Sequence, residues 1–137
     1  MMTDVSNRSL ETEVLGHKVS MPVGIAPTAM QKMVHPEGEA AVARAAEAAG
    51  ALFILSTMST VSIEDVAEAA PNGLKWFQLY IYKDRDVTRS LVKRAEKAGF
   101  KAIVLTVDAS LLAPNIRNKV IIDTMDKNTN KMFSMGK

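Results

Sequence analysis

Four times along the chain a short apolar run ends in a small polar or amide-bearing cluster and passes into a segment of helical spacing. The exits are Ala26-Pro27-Thr28-Ala29, Leu55-Ser56-Thr57, Phe77-Gln78-Leu79-Tyr80 and Leu105-Thr106-Val107-Asp108. Counted from Pro22, where the first run starts, the next runs start 30, 54 and 80 residues later, at Leu52, Trp76 and Ala102. Such spacing is that of right-handed βαβ units, in which parallel strands are joined by crossover helices.

The elements carry their own signals. Thr12 to Leu15 and Lys18 to Met21 flank Gly16-His17, which reads as a hairpin turn eased by glycine. The first strand, Pro22 to Ala26, is almost wholly apolar, as a strand covered on both faces is. A helix over Pro36 to Ala49 has proline at its first position, Glu37 and Glu39 in its first turn and Gly50 past its end. Its alanines make it slim enough to pack closely on a sheet. Leu52 to Leu55 is the second strand. Ser62 opens a helix from Ile63 to Ala70, with Asp65 where the reciprocal partner of a capping box stands, and Pro71-Asn72-Gly73 ends it. Trp76 to Ile81 is the third strand and Ala102 to Val107 the fourth. Between them a helix over Asp86 to Ala98 aligns Val87, Leu91, Ala95 and Ala98 on one face.

Polar groups at the carboxyl ends of successive parallel strands are how (β/α) barrels build a working face. The expected class is therefore α/β: a partial TIM (β/α)8 barrel of about four βα units preceded by a short β-hairpin. The expected layout is the N-terminal half of the barrel over 1–119 and a poorly ordered or non-family tail over 120–137, where Val120-Ile121-Ile122 could add a short strand. With 137 residues the chain is too short for a complete barrel of about 250.

Composition excludes several classes. An apolar fraction of 47% beside 23% charged residues is that of a globular protein with a core. Net charge is only +2, with basic and acidic residues interleaved, which gives nucleic-acid binding no support. The absence of cysteine removes disulfides and thiolate metal sites and fits a reducing compartment. The apolar stretch Ala49 to Leu55 is far below a membrane span, and the start lacks the pattern of a secretory signal. The reading is a soluble, intracellular protein without membrane contact. Its last residues, Met135-Gly136-Lys137, do not match the Ser-Lys-Leu type of peroxisomal address.

Strand alternation puts Gln78 and Tyr80 on one side of the third strand, where an amide and a phenol could address one ligand. The competing reading leaves the tyrosine hydroxyl in water and the glutamine satisfied by backbone; spacing leaves both open. Thr106 and Asp108 pair in the same way, against the alternative that Asp108 caps a turn, and Ser56 with Met58 forms a third pair. His35, before Pro36, reads as a capping or solvent-facing residue, and His17 as part of the hairpin turn. Two histidines without helical zinc-pair spacing give no metal site.

The run Met21 to Met33, followed by His35-Pro36-Glu37-Gly38-Glu39, resembles the FMN-dependent 2-hydroxy-acid oxidases, of glycolate oxidase type. Ser62 to Val66, Trp76 to Arg85 and Gly99 to Asp108 continue the resemblance in order. It implies FMN as cofactor, with Pro27, Thr28 and Ala29 against the flavin largely through backbone. Ser56, Gln78 and Thr106 would hydrogen-bond its ring system or ribityl chain, and Tyr80 would face the substrate. The implied reaction oxidises an (S)-2-hydroxy acid to a 2-oxo acid, with oxygen giving hydrogen peroxide; eukaryotic relatives of this type are peroxisomal. The resemblance also calls for a histidine base, a lysine near the flavin, a main substrate arginine and phosphate-binding loops from later strands. None of these has a counterpart here, and Arg117 belongs to a different part of the motif. Whether the chain is itself an enzyme is therefore left open: the expectation is a truncated form, inactive alone. The alternative is a non-catalytic half-barrel that associates with itself or a full-length relative through open sheet edges.

Overall fold

The computed structural model describes Ser6 and residues 8–107; Asp108, Arg117, the candidate strand at Val120-Ile121-Ile122 and the expected tail lie outside the described residues. The elements below belong to one compact unit that ends at Thr106.

A hairpin comes first, β1 (Thr12–Val14) and β2 (His17–Val19), with Thr12 opposite Val19. Its turn residues are Leu15 and Gly16, at φ 47° and 79°. Two successive left-handed residues suit a hairpin because their twist matches that of the flanking strands, and glycine is favoured at the second position. This corrects the expected turn by one residue: Gly16 closes the turn, and His17 falls into β2, half-buried.

Four strands then form one parallel sheet in the order β3 (Gly24–Ile25), β4 (Leu52–Leu55), β5 (Lys75–Leu79) and β6 (Ala102–Leu105). Helices α1 (Gly38–Ala48), α2 (Ile63–Ala69) and α3 (Arg85–Lys97) fill the three crossovers. Sequential parallel strands with a helix in each crossover are the repeating unit of the (β/α) barrel, so the expected class holds.

Register assigns the two faces. Leu55 lies opposite Phe77, and Phe77 opposite Ile103. Phe53, Leu55, Phe77 and Leu79 thus share the face that packs on Ala43 and Ala46 of α1, Val66 of α2, and Leu91 and Ala95 of α3. Phe77 also meets Phe100 edge-on, with ring centroids 6.3 Å apart. Burying each such Phe or Leu is worth about 1.5–3 kcal/mol, so this helix-facing layer holds the sheet to its helices. Trp76 and Gln78 alternate onto the opposite face.

Element ends depart from expectation for local reasons. β3 pairs only at Gly24 and Ile25, leaving Pro22, which has no N–H to give, and Ala26 outside the ladder. β5 starts one residue earlier than expected and stops at Leu79, and β6 stops at Leu105, so Tyr80, Ile81, Thr106 and Val107 leave the strands at the exits. Helix α1 starts at Gly38 instead of Pro36: Pro36 and Glu37 form a turn, and Gly38 at φ 52° separates it from the helix. An unexpected 3-10 turn, Gln31–Met33, precedes it. Ser62 Oγ accepts from the Asp65 N–H at 3.1 Å, half of the expected capping box. Asp84, not foreseen as a cap, accepts from the N–H groups of Asp86 and Val87 at 2.8 and 3.4 Å and starts α3 at Arg85. Among the described residues no helix is long and apolar enough to cross a membrane.

Candidate functional site

Because β3 to β6 are parallel and adjacent, their carboxyl ends open side by side, and Gln78 sits at the centre of that end. Its side chain is buried, at 2% exposure. Oε1 accepts from the Thr57 N–H at 3.1 Å and from the Ser56 hydroxyl at 3.4 Å, and Nε2 donates to Thr106 Oγ1 at 2.8 Å. One amide therefore spans the exits of β4, β5 and β6. Gln78 is thus not satisfied by backbone alone: its partners are two side chains on neighbouring exits and one backbone group. An amide that meets donors with oxygen and an acceptor with nitrogen is held in one orientation.

Thr57, quoted in the sequence only as part of an exit, proves central. Its Oγ1 donates to the Gln78 carbonyl and accepts from the Tyr80 N–H at 3.1 Å. The β4–β5 register, continued from Leu55 opposite Phe77, would set Thr57 opposite Leu79. In a parallel ladder that residue's backbone would make those same two bonds with Gln78 and Tyr80. The hydroxyl replaces the backbone step and frees the Thr57 N–H for Gln78 Oε1.

The remaining candidates separate. Ser56 is buried, donates to Gln78 and accepts from the Met58 N–H at 3.1 Å. Met58 lies in a turn, so strand alternation does not extend to it and the Ser56–Met58 pairing fails. Thr106 is half-buried and its N–H bonds the Leu79 carbonyl at 3.1 Å, just past the end of β6. Tyr80 is half-buried, one residue beyond β5. Pro27, Thr28 and Ala29 are exposed after β3, with the Thr28 carbonyl accepting from Gln31 Nε2 at 3.3 Å. His35 is exposed and its Nδ1 accepts from the Glu37 N–H at 3.2 Å, the turn-capping role expected of it. Among the described residues no three His, Asp or Glu side chains gather as a metal-binding group.

Glu39 was expected to serve the dipole of α1; it is instead fully buried, at 0% exposure. Burial raises its carboxyl pKa, but hydrogen bonds from the Thr60 hydroxyl and from the backbone of Thr60 and Gln31 outweigh that and hold it below the usual carboxylate range. An acid at a helix start looks the same in sequence whether it faces water or a neighbouring loop.

The model of the FMN-dependent dehydrogenase family matches residues 1–135. Glycolate oxidase of Spinacia oleracea is 54% identical over 125 residues, covering 89% of this chain and 34% of the relative. Glycolate oxidase 3 of Oryza sativa subsp. indica is 60% identical over 112 residues, covering 82% of this chain and 30% of the relative. Among solved structures, a mandelate oxidase variant with (S)-mandelic acid is similar at a TM-score of 0.80 and 40% identity, over 88% of this chain and 36% of that one. Mandelate oxidase with (S)-4-hydroxymandelic acid is similar at a TM-score of 0.74 and 44% identity, over 79% of this chain and 30% of that one. The chain spans about a third of the length of the curated relatives it matches.

Proposed function

The chain belongs to the FMN-dependent dehydrogenase family, and on that premise we propose that it supplies the flavin-facing strand exits of an enzyme that oxidises (S)-2-hydroxy acids to 2-oxo acids. FMN is the cofactor of the family. The chemistry it supplies when bound is acceptance of a hydride equivalent from the substrate's α-carbon, followed by delivery of the electrons to oxygen with release of hydrogen peroxide.

The observation that carries the reading is the buried amide of Gln78 joining three strand exits. A flavin ring has flat apolar faces and an edge of alternating donors and acceptors. The residues present fit it: Thr106 Oγ1 accepts from Gln78 and keeps its own hydrogen to donate, and Gln78 Nε2 carries a second hydrogen beside the one given to Thr106. Pro27, Thr28 and Ala29, exposed on the rim, offer backbone to a ring face. Ser56, Gln78 and Thr106 hold the ring or ribityl chain by hydrogen bonds, and Tyr80 faces the substrate.

A polypeptide of these 137 residues alone is inactive in this reading, because no residue matches the family's histidine base or main substrate arginine. Loss of a base alone removes a factor of roughly 10²–10⁴. A second reading, a non-catalytic half-barrel that associates through its sheet edges, draws on Ile103 and Leu105, which are 41% and 46% exposed on β6, the outermost strand on that side among the described residues. A monodisperse monomer by light scattering would argue against it.

The test is a chimera in which residues 8–107 replace the aligned part of Spinacia oleracea glycolate oxidase. It is expected to be yellow and to release peroxide from glycolate, and Gln78→Leu in it to weaken FMN binding. A folded chimera that stays colourless with excess FMN would sink the reading.

A further inference from the structure

Two of the strand exits are also tied together at a distance from Gln78. The Met30 N–H donates to the Met58 carbonyl at 3.2 Å, and the Lys32 N–H donates to Thr60 Oγ1 at 3.1 Å. Glu39 binds residues beside these ties: Gln31, between Met30 and Lys32, and Thr60 itself. Its Oε1 accepts from the N–H groups of Gln31 and Thr60 at 3.0 and 2.9 Å; its Oε2 accepts from the Thr60 hydroxyl and the Val61 N–H at 2.7 and 3.1 Å. Each oxygen thus serves two donors. The close approach depends on Gly38, the preceding residue: a Cβ there would lie 2.7 Å from Lys32 Cγ and 3.3 Å from Thr60 Oγ1, at a φ of 52°.

The link runs onward to the exits themselves. Gln31, held at its N–H by Glu39, donates from Nε2 to the Thr28 carbonyl. On the other side, the loop that Glu39 holds at Thr60 and Val61 returns to β4 through Met58, whose N–H bonds Ser56 Oγ.

We propose that Glu39 is a positioning residue for the flavin: one carboxylate, by gripping Gln31 and Thr60-Val61 together, sets the spacing between the Pro27–Ala29 backbone and the Ser56–Met58 exit. The proposal rests on the flavin reading above for its purpose, though not for its geometry. Glu39 acts only through these loops. Glutamine cannot replace it, because in either orientation its NH2 group opposes two donors.

Hydrogen exchange on the full 137-residue chain tests the geometry without flavin. Glu39→Gln is expected to raise exchange at the Met30, Lys32, Thr60 and Val61 amides by at least about tenfold, while Phe77 and Leu91 stay within about twofold. Thr60→Val, which removes one hydroxyl and leaves the backbone donors, gives a smaller rise centred on Lys32, and decides the matter if Glu39→Gln fails to fold. An equal rise at Phe77 and Leu91 in both variants, or unchanged protection at Met30 and Thr60, overturns the proposal. In the glycolate oxidase chimera, Glu39→Gln is expected to shift the absorbance band of bound flavin and to weaken FMN about tenfold, whereas Thr60→Ser, which keeps the hydroxyl, retains both. An unaltered band and affinity in Glu39→Gln would likewise overturn it. A chimera that binds no FMN in any form refutes the flavin reading, and the exchange data then decide the loop coupling separately.

Discussion

Among the described residues the two ends of the parallel sheet each bury one charged side chain and treat it with opposite chemistry. At the carboxyl end Glu39 gathers three backbone N–H groups and a hydroxyl. At the amino end Lys75, the first residue of β5 and only 4% exposed, donates from Nζ to the carbonyls of Ala70 and Gly73. Main chain stands in for water in both cases, yet the balance differs. Hydrogen bonds defeat burial at Glu39. Burial prevails at Lys75, lowering the ammonium pKa from its ordinary 10.5 against the attraction of Glu47, with Lys101 adding to the fall. Near it, Glu47 takes the Asn72 N–H with one oxygen at 3.3 Å while the other is buried without a partner. The carboxyl end gains from its buried charge; the amino end tolerates one.

Glu39→Ala is the strongest way to break that contrast. It strips three backbone donors and a hydroxyl of their acceptor, and urea unfolding should report a loss of about 3–5 kcal/mol. A loss below about 1 kcal/mol would erase the difference between the ends. Lys75→Met, similar in length, removes two hydrogen bonds but also a desolvated charge, so its loss should be about 1 kcal/mol. Equal losses at the two positions would mean that both ends are stabilised by charge.

Titration sharpens the same comparison. The folded pKa of Glu39 lies below its ordinary 4.5, so its contribution is complete above that value and is lost as pH falls through the folded pKa. Lys75 is also lowered, from 10.5; between its folded and unfolded values the unfolded chain holds the extra proton, and stability from this group rises with pH across that window. Melting temperatures followed from about pH 5 to about pH 3 should fall, and Glu39→Gln should flatten the fall. An unchanged slope in the variant would place the acid sensitivity in other carboxylates. The smallest effect belongs to neither end: Arg94 grips Glu64 through Nε and Nη2 at 2.8 and 2.7 Å, joining α3 to α2 on the surface. Arg94→Ala should cost about 0.5–1 kcal/mol at low salt and less at about 1 M salt; a cost independent of salt would point to packing by the arginine stem.

Much of this architecture is legible in the chain itself. The unbroken apolar run Leu52–Leu55 gave β4 to the residue, Ser62 capped α2, and the spacing of Leu91 and Ala95 found the buried face of α3. Alternation in β5 singled out Gln78. Strand ends were overrun at Ile81 and Val107 because a strand stops where its neighbour stops offering hydrogen bonds, which apolar character does not report. Thr57 and Glu39 escaped for a related reason: their partners are set by register and by a loop 21 residues away, not by local pattern.

The hydroxyl of Thr57 has one more consequence. By completing a rung of the β4–β5 ladder with a side chain, it lets the main chain depart from the sheet while the tip of β5 stays pinned. The chain can therefore turn at Met58 toward Thr60 and Val61, the residues that Glu39 holds, while the end of β5 keeps its place. A hydroxyl at position 57 thus lets β4 end at Leu55 while β5 runs on to Leu79 with its last backbone groups still bonded.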